Sequence, residues 1–183
     1  MLRNILIAVV AIVAVMAAVI AMQPSQLRVE RTIVIAAPTE AVFAQVNDLR
    51  RWQDWSPWAE LDPLARATFE GPDSGTGAIF KWSGNDEIGE GHMTIEESIP
   101  NEIVRARVDF VRPFTGNSIT EFDLTPAVDH TAVTWIMTSE LDFLSKAICL
   151  FMNPRAKIEA DMDKGLEKMK ALIEARREAE NPA

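Results

Sequence analysis

The sequence predicts an α+β domain in which a curved antiparallel sheet of about seven strands wraps a long C-terminal helix, preceded by one N-terminal transmembrane helix. Three observations predict it. Apolar/polar alternations of strand length recur from residue 27 to about 141, separated by turns too short to hold crossover helices. Residues 154 to 178 instead repeat apolar side chains at three and four, the helical period. Residues 5 to 22 are apolar without interruption.

A chain of 183 residues accommodates one domain with an appendage. Its net charge of -9, with lysines and arginines scattered among more numerous acids, lacks the clustered basic face that nucleic acid requires. The single cysteine, Cys149, excludes an intrachain disulfide, and it reads as a small buried residue of an apolar run. Two distant histidines, His92 and His130, do not supply metal-ligand spacing, and His130 reads as an exposed turn residue. No cofactor is indicated, because the sequence offers no nucleophile-and-base pair and no phosphate-cradling glycine loop.

Residues 1–26 form an export segment and linker. A positive start at Met1 and Arg3 precedes the apolar run, and Pro24 follows it. Eighteen residues at helical rise span ~27 Å, close to a bilayer's hydrocarbon thickness, which favours an uncleaved anchor. Val19-Ile20-Ala21 would nevertheless pass as a signal-peptidase site. Arg28 and Arg31 balance the charges before the segment, so orientation rests on its early position, which usually leaves the long C-terminal part outside. In a bacterium this gives a single-pass inner-membrane protein with a periplasmic domain at 27–178 and a disordered tail at 179–183.

Residues 27–37 alternate Val29, Arg31, Ile33 and Ile35 against Arg28, Glu30 and Thr32, a first strand. Pro38-Thr39-Glu40 opens a short helix with an apolar stripe of Val42, Phe43 and Val46. In RWQDWSPWAELDP (51–63), Trp52 and Trp55 fit a second short helix, while Pro57 pushes Ser56 to extended geometry and leaves Trp58 on a loop. RATFEG, GAIFKWSG, EGHMTIEESI, NEIVRARVDFV, SITEFDLTPA and HTAVTWIMTSEL follow as six meandering strands, with Gly75, Gly77, Gly89 and Gly91 read as turn glycines. FLSKAICLFM (143–152) is a helical lead-in. Asn153 as N-cap and Pro154 then start an amphipathic helix of about 25 residues, with Ile158, Met162, Leu166, Met169 and Ile173 on one stripe.

This order of elements is that of the helix-grip fold. VIAAPTEAVFAQVNDLRRWQDWSPWAELDP, the paired GTGAIFKWSGNDEIGEGHMTI strands and the close TAVTWIMTSELDFLSKAICLFMN resemble the START-like SRPBCC superfamily, in its polyketide cyclase/dehydrase-like branch. The likeness covers about residues 27 to 175, and its most specific marker is the WxxWSPW run. The resemblance implies a cavity between sheet and helix that in relatives accepts hydrophobic or amphipathic molecules, with the tryptophan segment at the open end of the grip. It does not imply a reaction.

Alternation assigns the concave face. It gives Phe80, Trp82, Met93, Ile95, Val108, Phe110, Phe122, Trp135 and Met137; the helix stripe sets Met162, Leu166 and Met169 facing them, and the resemblance adds Trp52, Trp55 and Trp58 at the open end, which completes the candidate ligand-binding set. Aromatic and thioether walls suit a greasy ligand of variable shape, and the same residues would equally pack as a plain core. The three indoles at 52, 55 and 58 either wall the cavity mouth or plug that end. On this register Arg105, Arg107, Asp109 and His92 point to solvent, so no catalytic residue is assigned.

The leading reading is a membrane-tethered, non-enzymatic module holding a hydrophobic or lipid-like molecule. The alternatives are a cyclase or dehydratase acting on a cyclic hydrophobic substrate, for which a one-residue slip would bring in Arg105, Arg107 or His92, and a structural envelope interaction domain.

Overall fold

The computed structural model describes residues 1–113 and 115–180. Residues 181–183, most of the expected disordered tail, lie outside them. The elements in chain order are α1 (Leu2–Ala21), β1 (Gln26–Ile35), α2 (Thr39–Val46), α3 (Trp52–Trp55), β2 (Arg66–Glu70), β3 (Ile79–Ser83), β4 (Glu90–Ile99), β5 (Ile103–Arg112), β6 (Gly116–Pro126), β7 (Thr131–Glu140), α4 (Phe143–Met152) and α5 (Pro154–Glu180). All seven strands pair antiparallel in one sheet of order β1-β7-β6-β5-β4-β3-β2. The long return from β1 to β2 passes through α2 and α3, which is what lets the first strand close on the last.

Helix α5 lies across the concave face of this sheet and packs chiefly on β1, α3 and α2. Its stripe of Met162, Leu166, Met169 and Ile173 is buried, as the three-and-four spacing requires. Polar clasps fix its position. Arg31 of β1 donates from Nε and a terminal nitrogen to both carboxylate oxygens of Asp163, at 2.6 and 2.7 Å. That pairing holds the Arg31 guanidinium pKa above its ordinary value, first through the hydrogen bond and then through the charge of Asp163. Lys164 and Lys168 both reach Glu60, tying the loop after α3 to the helix.

Gly165 is a helix-interior glycine with a packing reason. A Cβ there would stand 2.9 Å from Cδ of Pro57 and 3.1 Å from the Trp135 ring. The lost helix propensity, about 1 kcal/mol relative to alanine, allows the buried Pro57 to seat against the helix backbone.

Two sequence expectations are corrected here. Asn153 is the left-handed residue (φ 42°) that closes α4, its N–H donating to the Cys149 carbonyl, so it acts as a C-terminal stop before Pro154 begins α5. Gly91 is a strand residue, not a turn residue: it faces Trp82 across β3 and β4, and a Cβ would meet that indole at 2.4 Å. The ring covers the bare backbone, which accounts for the glycine.

Helix α1, 20 residues with a mean hydropathy of 2.9, is long and apolar enough to cross a membrane, a test a signal sequence also passes.

Candidate functional site

The strand registers arrange the concave face as rows running across the sheet. Deepest are Leu124-Val133-Ile33 and then Ser98-Val104-Phe122-Trp135-Arg31. The next row is Ile95-Ala106-Thr120-Met137-Val29. Beyond it comes Phe69-Phe80-Met93-Val108-Ser118-Ser139-Leu27, and the outermost is Ala67-Trp82-Gly91-Phe110-Gly116. Because β7 ends at Glu140 beside Gln26 of β1, the outer rows lie at the end of the sheet where α1 and α4 attach.

The deep rows are closed. Trp52 and Trp55 of α3 pack edge-on against Phe122, at 5.3 and 5.8 Å between centroids, and Phe122 stacks on Trp135 at 5.0 Å. Trp55 and Trp52 differ in burial by little: neither is more than 4% exposed. Their indole N–H groups donate to the carbonyls of Gln45 and Val46, so the WQDW turn is sewn to the end of α2. Ile95, Met162, Leu166 and Met169 belong to the same cluster. Trp135 donates to the Thr120 hydroxyl at 2.7 Å, satisfying a buried N–H that an apolar neighbour would have orphaned.

The outer rows are built differently. Large rings stand on β2 to β5 as a diagonal wall: Phe69 stacks on Phe80 at 5.2 Å, Phe80 on Trp82 at 5.7 Å, and Trp82 meets Phe110 edge-on at 6.0 Å. Arg50 caps the far face of Phe69 at 5.1 Å. Beside this wall the floor, formed by the inward positions of β4 to β7, includes the small residues Gly91, Ala106, Gly116, Ser118, Thr120 and Ser139, set among Met93, Ile95, Val108, Phe110 and Met137. Ser118 is 2% exposed, yet its hydroxyl has no hydrogen-bond partner among the described residues. Above the floor α5 contributes little, since its first turn, Arg155 to Lys157, is exposed and Ile158 is only half-buried. Trp58, edge-on to Trp135 at 5.7 Å, is likewise half-buried, as are Phe80, Trp82, Met93 and Met137. Val108 is buried and Phe110 exposed.

The fifteen sequence-assigned positions therefore divide. Trp52, Trp55, Ile95, Phe122, Trp135, Met162, Leu166 and Met169 form the packed deep half, while Trp58, Phe80, Trp82, Met93, Phe110 and Met137, with Val108 at the boundary, line the looser half. Sequence reasoning missed Phe69 and Ser118. Phe69 lies in a strand of five residues with almost no burial pattern. Ser118 is a hydroxyl on an inward position, which alternation alone could have placed.

The polar groups of β4 and β5 sit on the convex side. Arg105 pairs with Glu97 and Glu121, Arg107 with Asp109, and His92 lies 3.5 Å from Asp109. The hydrogen bond to Glu121 is the main cause of the raised Arg105 pKa. The bulge between Ile95 and Glu97 lets Glu97 join Arg105 on that side while Ser98 turns inward to donate to Asn47. A cyclase or dehydratase reading that relies on Arg105, Arg107 or His92 finds all three across the sheet from the grip. The depression of about 190 Å³ between Arg28, Ile119, Glu121, Ile136 and Thr138 also opens on the convex face, away from the aromatic wall.

Residues 26–174 match the model of a family described as polyketide cyclase / dehydrase and lipid transport. The chain belongs to that family. Solved structures with the same fold include a protein of Nitrosospira multiformis, 19% identical, covering 82% of this chain and 99% of its own at a TM-score of 0.60. Another is a Chromobacterium violaceum protein, 20% identical over 82% of this chain and 99% of that one at a TM-score of 0.57. DynU16, described as a putative protein of the dynemicin biosynthetic locus, is 16% identical at a TM-score of 0.57. The match spans 83% of this chain and about half, 48%, of DynU16. These likenesses show the helix-grip fold of the family member. No curated protein matches its sequence.

Proposed function

We propose that this chain is a membrane-tethered, non-enzymatic binding module that holds a hydrophobic or lipid-like small molecule in the outer half of its grip, with α1 retained as a single span and the domain on the extracytoplasmic side. The observation that carries this reading is the contrast within one concave face: interlocked rings at the deep end, and at the other a half-buried aromatic wall beside a floor that includes Gly, Ala, Ser and Thr. Small residues under a large-ring wall leave little to displace when the half-buried rings part to admit a ligand, whereas interlocked rings would resist it. Trp58, Phe80, Trp82, Met93, Val108, Phe110 and Met137 supply apolar contact in this proposal, and Trp52, Trp55, Phe122 and Trp135 form the back wall. The unpaired Ser118 hydroxyl supplies one hydrogen bond to a polar atom of the ligand, the arrangement that fixes orientation in mostly apolar sites. Family membership supports the reading, since the family's description includes lipid transport.

The test is Ser118→Leu in the full chain. Over a ligand space the added side chain fills the void, stability is kept, and a molecule extracted stoichiometrically from the unmodified protein by organic solvent disappears from the mass spectrum. Under a packed roof the same change overpacks, costs about 1–3 kcal/mol, and leaves the extract unaltered, which would refute the proposal.

A further inference from the structure

Helix α4 carries its polarity inside out. Phe143, Leu144, Phe151 and Met152 are 54, 60, 67 and 75% exposed, and Ile148 shares their side of the helix. The half-buried positions are Ser145, Lys146, Ala147 and Cys149. A helix of a water-soluble domain buries its apolar stripe and exposes its polar one. Here the polar side meets the domain: Asp142 caps the first turn by accepting from the Ser145 N–H, and Lys146 donates to Ser25 Oγ at 3.0 Å. The Leu141 N–H donates to the Ser25 carbonyl at 2.8 Å, which brings the start of α4 to the end of the linker leaving α1. The two helices are in contact. The apolar surface of α4 thus continues that of a 20-residue helix of membrane-spanning length.

We infer that α4 is an in-plane interfacial helix, its apolar side sunk into the lipid leaflet from which α1 emerges. This rests on the reading of α1 as a retained span. The bilayer is the occupant that the geometry selects, because a segment at the mouth of a transmembrane helix, wholly apolar on its outer side and held by polar contacts on its inner side, stands where acyl chains meet headgroups. Cys149, expected to be buried, is half-exposed because its whole helix lies on the outside of the domain. One consequence concerns the proposed site. Phe110 and Val111 are exposed at the same end of the sheet, so the looser half of the grip opens toward lipid, and a hydrophobic ligand would pass between bilayer and cavity without crossing water.

The experiment uses the full chain with Cys149→Ser, reconstituted in phosphatidylcholine/phosphatidylglycerol vesicles and labelled with an environment-sensitive fluorophore at one introduced cysteine: Phe151→Cys, Leu144→Cys, Val13→Cys in the middle of α1, or Val128→Cys in the distant β6–β7 turn. The inference expects the labels at 144 and 151 to shift to the blue and lose most of their emission to lipids spin-labelled near the headgroup. The label at 128 stays water-like and unquenched. Water-like labels at 144 and 151 beside a lipid-quenched label at 13 would overturn the inference and leave the anchor standing. A blue shift at 151 that no spin-labelled lipid quenches would also overturn it, in favour of a protein covering the helix. A label at 13 left unquenched by lipids spin-labelled at the acyl-chain end would instead refute the anchor itself.

Discussion

Trp52, Trp55, Trp82 and Trp135 each donate the indole N–H to an acceptor, and it is burial that distinguishes the tryptophans that hold the fold from those free to serve a ligand. Trp55 is fully buried, edge-on to Phe122 and Trp135, with its N–H directed at the Gln45 carbonyl. Truncating it to alanine is expected to cost about 3–5 kcal/mol, read as a lowered denaturation midpoint, because the surrounding rings cannot collapse into the space. Phe110 is 38% exposed and, among the rings of the described residues, meets only Trp82. Phe110→Ala is expected to leave the midpoint within about 1 kcal/mol of the parent while weakening retention of the extracted molecule, since an exposed ring contributes little burial. The inward positions of Phe110, Phe122 and Trp135 were legible from alternation, because a half-buried strand has a strict period of two. Which of them form a solid core was not legible. That depends on what α3 and α5 bring down upon each row, and no spacing within a strand encodes it.

At the scale of elements, α5 is held by polar contacts along its length, from Arg155 on the Arg28 carbonyl to Arg177 on the Ala36 carbonyl, and one of them reports on pH. Lys164 and Lys168 converge on Glu60, whose carboxyl they hold down at about 2, against an ordinary value of 4.5, chiefly by hydrogen bonding. A depressed acid pKa contributes stability that is present above the ordinary value and is lost as pH falls toward the folded one. The thermal midpoint of the parent should therefore exceed that of Glu60→Gln at neutral pH and converge on it between about pH 4.5 and pH 2. The difference will be small, because Glu60 and Lys164 are exposed to solvent and Lys168 partly so. Parallel curves would remove Glu60 from the clasp. The long helix, its start at Pro154 and the short lead-in helix were readable from period and capping residues. The clasp was not, because Glu60 and its lysines are separated by 104 and 108 residues and nothing local couples them. The direction of α4 was missed for a related reason. An apolar run reads as buried unless something indicates that its surroundings are not water.

For the molecule as a whole, the sheet has two free flanks, and they are unequal. β1 is ten residues long, zipped to β7 along its length and fastened to α5 by Arg31. β2 is five residues long, mostly exposed, and joined to β3 alone. Backbone amides of β2 and the outer half of β3 should exchange with deuterated water before those of β5 to β7, and hydrogen-exchange mass spectrometry would read that order directly. Uniform protection across the sheet would contradict it. Phe69, Phe80 and Trp82 ride on this weaker flank, so one wall of the proposed cavity hangs from a hairpin that joins the sheet through the five-residue pairing of β3 with β4. The floor on β5 and β6 is rigid by comparison. A container with one stiff side and one yielding side takes its dimensions from its contents, and such a cavity would select cargo by greasiness and length rather than by outline.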